Sequence, residues 1–115
     1  MSGHISGQTR VARVEQAKNE LRLFLTVPEP FMKYLHHKGF VALDGASLTI
    51  ASVVPASSEI SVALIPETIE RTTLGSRKLG DMVNLEVDAQ TQSIVDTVER
   101  VLSSQEWRKS LQDFA

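Results

Sequence analysis

The chain has 115 residues, 42% of them hydrophobic and 23% charged, which fits one globular domain with a buried core. Its net charge is -2, and no block of like charges occurs, so neither nucleic acid nor an anionic membrane is expected as a partner. Cysteine is absent, which excludes disulfides, Cys-based zinc sites and thiol nucleophiles.

In chain order, Met1-Ser2-Gly3-His4 lacks the charged and apolar regions of a signal peptide. No apolar run approaches the roughly 20 residues of a membrane span. A soluble, cytoplasmic protein is the expectation. Val11 to Glu15 is a weak strand candidate. Leu21, Leu23, Leu25 and Val27 alternate with Arg22, Phe24 and Thr26, the pattern of a half-buried strand. Glu29 to His37 reads as a helix, opened by Pro28 and closed by Gly39. Phe40 to Leu43 and Ser47 to Val54 read as two strands around Asp44-Gly45, a pair that tolerates positive φ and so favours a tight hairpin turn. Ile60 to Leu64 alternates as a further strand. Pro66 to Glu70 places proline in a first helical turn with acids near the positive end of the dipole. Met82 to Val87 is the last strand. From Gln92, the residues Val95, Val98, Val101 and Leu102 fall at helical spacing, and a continuation through Trp107 to Leu111 is compatible with the pattern.

The order β-β-α-β-β-β-α-β-α, with six short strands, predicts an all-β protein. The expected architecture is a six-stranded antiparallel Greek-key barrel with short helices and a C-terminal helix, because closure removes exposed edges. The expected division is a barrel over 1–90 and a helix and tail over 91–115. The stripe of the last helix can dock on the barrel or meet a partner subunit, and the pattern leaves both open.

Few residues suggest chemistry. His36 and His37 are adjacent, about 100° apart on a helix, and cannot share one metal, so no metal site is expected. Lys38 reads as a solvated cation at a helix end. Ser47 and Thr49 lie two apart on a strand, so their hydroxyls share one face, opposite Leu48 and Ile50. They line either a polar pocket or a solvated face, and the alternation alone favours the latter. Leu64-Ile65-Pro66-Glu67-Thr68 runs from strand into helix, a junction that exposes backbone N–H groups.

Lys38-Gly39-Phe40 with Leu43-Asp44-Gly45-Ala46-Ser47-Leu48-Thr49 resembles the KGF…DGxSLT signature of the riboflavin synthase family. Leu64 to Gly75 is similar to its LIPETLERTTLG segment, and Lys78 to Asp88 to its KxGDxVNxExD strand. Ser2-Gly3-His4-Ile5 and Val95 to Arg100 match the opening and the closing helix, so the likeness runs from Met1 to about Leu102. The family's subunit has two barrels and a C-terminal helix; this chain resembles the second barrel plus that helix and lacks the first. Either an excised half or a natural single barrel is compatible with this.

The resemblance implies a transferase that joins two molecules of 6,7-dimethyl-8-ribityllumazine. One gives a four-carbon unit to the other, yielding riboflavin and a pyrimidinedione, with no cofactor. It implies binding through Gly3, His4, Ile5, Lys38, Ala46, Ser47 and Leu48, with Ala63, Leu64, Ile65, Pro66, Glu67 and Thr68 as the opposite wall. His4, Ser47 and Thr49 are the implied catalytic groups. The implied partners are the lumazine, riboflavin, the N-terminal barrel of a full-length subunit and further copies in a trimer. A non-catalytic lumazine- or flavin-binding barrel is the alternative. On this likeness Ser47 and Thr49 line a pocket after all.

Overall fold

The computed structural model describes residues 6–104. Six strands close into an antiparallel barrel in the order β1-β2-β5-β4-β3-β6. They are β1 (Ser6–Ala17), β2 (Glu20–Thr26), β3 (Phe40–Leu43), β4 (Ala46–Val54), β5 (Glu59–Leu64) and β6 (Met82–Val87). Among the described residues the α-helices are α1 (Pro66–Arg71) and α2 (Ala89–Ser103). The expected all-β barrel with a C-terminal helix is thus the observed architecture.

The alternating positions decide which way each strand faces. Leu23, Leu25, Val41, Leu43, Ile50, Ile60, Val62, Leu64, Val83 and Leu85 fill the interior and are almost wholly buried. Two long connections cross the barrel ends instead of joining neighbouring strands. Residues 27–39 close one end, where Tyr34 and Leu35 are buried, and residues 65–81 close the other, where Leu74 is buried.

Three expectations need adjustment. The strand expected at Val11 to Glu15 is the longest in the barrel, 12 residues from Ser6 to Ala17. Its first part pairs with β6 and its second with β2, with a bulge between Val11 and Arg13. The bulge shifts the phase of alternation, so period 2 fails across it. The helix expected over Glu29 to His37 is a 3₁₀ turn at Glu29–Tyr34. Its bonds run from Phe31 N–H to Pro28 O and from Leu35 N–H to Met32 O. Leu35 then turns extended to enter the barrel end, so the chain leaves the helix before His36. The last helix begins at Ala89, earlier than Gln92, because the Asp88 carboxylate caps it by accepting from Thr91 N–H at 2.9 Å. The continuation through Trp107 to Leu111 lies outside the described residues.

Helix α2 docks through one face of its middle turns. Val95 packs on the core, the Tyr34 hydroxyl donates to Asp96 at 2.6 Å, and Lys33 pairs with Glu99 at 3.0 Å. Ile94, Val98, Val101 and Leu102 remain exposed on the same helix.

Candidate functional site

The motif-bearing stretch gathers on the outer surface, towards the barrel end closed by residues 65–81. The β3–β4 hairpin carries one side. Asp44 and Gly45 both adopt positive φ, 48° and 84°, as the tight turn requires. Asp44 also ties the turn into the fold. Its Oδ1 accepts the Asn84 N–H at 2.9 Å, its own N–H donates to Asn84 O at 2.8 Å, and its Oδ2 meets Arg77 Nη2 at 2.5 Å. The turn is thereby held to β6 and to the loop that follows α1.

Leading out of this turn, Ser47 and Thr49 are exposed on the outer face, while Ala46 and Leu48 are half-buried and pack against the core. On β5 the same division holds. Ala63 is half-buried on the outer face, and Leu64 is fully buried, so only its backbone is available to a ligand. Ile65 and Pro66 are exposed beyond it, followed by exposed Glu67 and half-buried Thr68 in α1. Glu67 pairs with Arg71 at 3.2 Å across one helical turn.

How β4 and β5 meet gives the site its character. Their ladder runs from Val54↔Glu59 to Ile50↔Val62, and among the described residues no register pair joins them beyond that point. Ile50 spends its backbone groups on the β3 side, its N–H to Gly39 O at 2.8 Å and its carbonyl on Lys38 N–H at 2.9 Å. Backbone groups alternate sides along a strand, so Ser47 and Thr49 turn theirs towards β5. The seam therefore offers backbone donors and acceptors, two hydroxyls and small or apolar neighbours. A flat ring with amide-like edges needs the same set, with apolar contact on its faces.

Helix α1 is held over this end by close packing. A Cβ on Gly75 would lie 2.6 Å from Ile69 Cγ2, so the chain after α1 approaches it as only glycine permits. Thr72 locks the corner, donating its hydroxyl to Thr68 O at 2.8 Å and accepting from Leu74 N–H at 3.2 Å.

Lys38 is exposed, has a positive φ of 66° and is tied to β4 through its N–H on Ile50 O. Gly3, His4 and Ile5 lie outside the described residues. His36 and His37 belong elsewhere, beside an apolar cleft of about 450 Å3 that Met32, Leu35, Val53 and Pro55 also line. A second cleft of about 400 Å3 borders α1 on its far side, between Pro66 and Ile69 and the β1–β2 hairpin. The seam itself is an open surface, and no signal in the alternation of β4 or β5 distinguishes it from a paired one.

Residues 2–88 match the family model described as lumazine binding domain. The riboflavin synthase of Escherichia coli (strain K12) is 50% identical over 107 residues, covering 92% of this chain and 49% of that protein. The riboflavin synthase of Chlamydia pneumoniae is 43% identical over 104 residues, covering 90% and 49%. The chain thus spans about half the length of the curated relatives it matches. Among solved structures, LumP complexed with riboflavin superposes with a TM-score of 0.67 at 20% identity, over 73% of this chain and 44% of that one. LumP complexed with 6,7-dimethyl-8-(1'-D-ribityl) lumazine gives 0.65 at 22%, over 72% and 45%. These two likenesses show a shared fold.

Proposed function

This chain belongs to the lumazine binding domain family, and from that premise we propose that it is the C-terminal, lumazine-binding half of a riboflavin synthase. It contributes one half-site to the dismutation of two 6,7-dimethyl-8-ribityllumazine molecules into riboflavin and a ribitylamino-pyrimidinedione. The observation that supports this most directly is the unpaired seam between β4 and β5, with Ser47, Thr49, Ala63 and Ile65 beside it.

In this reading the lumazine ring lies along the seam with its dione edge on the backbone groups of Ser47, beyond the end of the ladder, much as an added strand would. The ribityl hydroxyls meet Glu67 and Thr68. The C7 methyl of one lumazine is acidic because its anion delocalises into the ring, and loss of that proton makes it a nucleophile. His4 shuttles the proton near neutral pH, and Lys38 places positive charge at the pocket edge. Ser47 or Thr49 stabilises, or adds to, the electrophilic ring carbon of the second lumazine. The four-carbon unit then leaves the donor and completes the third ring on the acceptor. Much of the rate comes from holding two such rings in register.

The missing partner site is supplied by the N-terminal barrel of a full-length subunit. Copies assemble through the stripe of α2 that carries Val98 and Leu102, next to the docked Val95, in the expected trimer. The protein works in the cytoplasm.

The test is incubation of the chain with 6,7-dimethyl-8-ribityllumazine, followed by riboflavin fluorescence. Binding without turnover, with activity restored by an added N-terminal barrel, is the expected result. Failure to bind the lumazine would refute the assignment, and binding with no rescue by that barrel would leave only a non-catalytic binding module. Ser47→Ala and Thr68→Ala should each weaken binding while leaving the fold intact. Sedimentation showing a monomer at high concentration would remove the trimer.

A further inference from the structure

The outer face of β3 carries a residue that none of the motif arguments assigns to the site. Phe40 is 60% exposed, while Val41, Ala42 and Leu43, which follow it, are buried. It stands directly opposite Thr49 in the β3–β4 register. Because Ile50 exchanges hydrogen bonds with the Lys38-Gly39 segment, the neighbouring Phe40–Thr49 pair is the non-hydrogen-bonded type. In such pairs the side chains approach most closely. An exposed ring is thus set against one of the two hydroxyls that border the seam.

A second observation concerns the two residues before it. Lys38 N–H donates to Ile50 O and Ile50 N–H donates to Gly39 O, so two residues oppose one. Lys38, the first of the two, has φ 66°. This is the bulge whose first position is ordinarily glycine, and here a lysine holds it despite its Cβ. Bulges beside binding sites re-aim side chains, and this one sets an exposed cation and an exposed aromatic side by side at one rim.

We propose that Phe40 is a ring-contacting, specificity-determining residue, giving the planar ring system an apolar face beside the exposed Lys38 cation. The inference rests on the lumazine-binding reading above and deepens it. Its chemistry selects for fused, flat rings. Stacking grows with ring area, so the tricyclic product riboflavin gains more from Phe40 than the bicyclic lumazine does.

The experiment uses the whole chain and three variants, Phe40→Ala, Phe40→Leu and Phe40→Trp. Affinities for riboflavin and for 6,7-dimethyl-8-ribityllumazine are measured by fluorescence titration, with circular dichroism to verify the fold. Phe40→Ala should weaken riboflavin binding about tenfold and the lumazine less, the range seen when an aromatic platform under a flat base is removed. Phe40→Leu keeps apolar bulk but not the ring, and should recover only part of that loss. Phe40→Trp should retain binding and quench the bound flavin's fluorescence, because a stacked indole donates an electron to the excited ring. Unchanged affinity in Phe40→Ala, with no added quenching in Phe40→Trp, overturns the role of Phe40 while the lumazine-binding reading stands. If the unmodified chain binds neither compound, both fall together.

Discussion

Replacing Asp44 should destabilise the fold by an amount that depends on what replaces it. The carboxylate is 15% exposed and its partner Arg77 30%. Asp44→Ala deletes the acceptor for the Asn84 N–H, worth about 1.5–3 kcal/mol for a charged acceptor. It also strips the ion pair from Arg77, whose Nε is already buried without a partner. Breaking a fully buried pair costs about 3–5 kcal/mol, and the partial exposure of Arg77 reduces this to about 1–2. The sum is about 2.5–5 kcal/mol. Asp44→Asn keeps the oxygen facing Asn84 and tolerates positive φ, so its cost should be about 1–2 kcal/mol. Urea unfolding reads both. With a slope of about 1.5 kcal/mol/M, the midpoint should fall by about 2–3 M for alanine and about 1 M for asparagine. Adding Arg77→Met to Asp44→Ala should restore part of the loss, because no guanidinium is then left unpaired. If alanine and asparagine lie within about 0.5 kcal/mol of each other, the argument that Asp44 acts through two separate contacts is wrong.

Lys38→Gly should move stability and binding in opposite directions. Relief of the left-handed lysine, less the extra backbone entropy of glycine, should raise the thermal midpoint by about 2–4 °C while ligand affinity falls; a lowered midpoint would contradict the bulge argument. Tyr34 is the single tyrosine in the chain, so absorbance at 295 nm follows it alone. Its hydrogen bond to Asp96, together with burial, raises its pKa above the usual 10. A raised native pKa means that this stabilisation is complete below pH 10 and is lost as pH rises through the native value. Asp96→Ala should therefore bring the titration midpoint down towards 10, and a native midpoint at or below 10 would show that the contact is not made. Leu74→Ala, at a fully buried position closing one barrel end, should cost about 2–4 kcal/mol in chemical denaturation, and a cost below 1 kcal/mol would place Leu74 outside the core.

Strand pairing explains why some of this was legible in the chain and some was not. The alternation of Leu21 to Val27, Ile60 to Leu64 and Met82 to Val87 is a local property, because each side chain is assigned a face by its immediate neighbours. The same holds for the Asp44-Gly45 turn and for Ser47 and Thr49 sharing one face. These features located the barrel and, with the family motifs, marked out the strands proposed as the two walls of the site. Tertiary structure decided the rest through residues far apart in sequence. The extent of β1 came from pairing with β6 and β2 on its two sides, and its bulge concealed the strand from a period-2 reading. The segment Glu29–Tyr34 became a 3₁₀ turn because Tyr34 and Leu35 had a barrel end to fill. Asp44 found Arg77 and Tyr34 found Asp96, contacts spanning 33 and 62 residues that no local pattern encodes. The seam is of the same kind. Ser47 and Thr49 have the same sequence neighbours whether or not β5 pairs with them, and only closure of the barrel, which ends that ladder at Ile50↔Val62, leaves the Ser47 end of β4 without a register partner on β5.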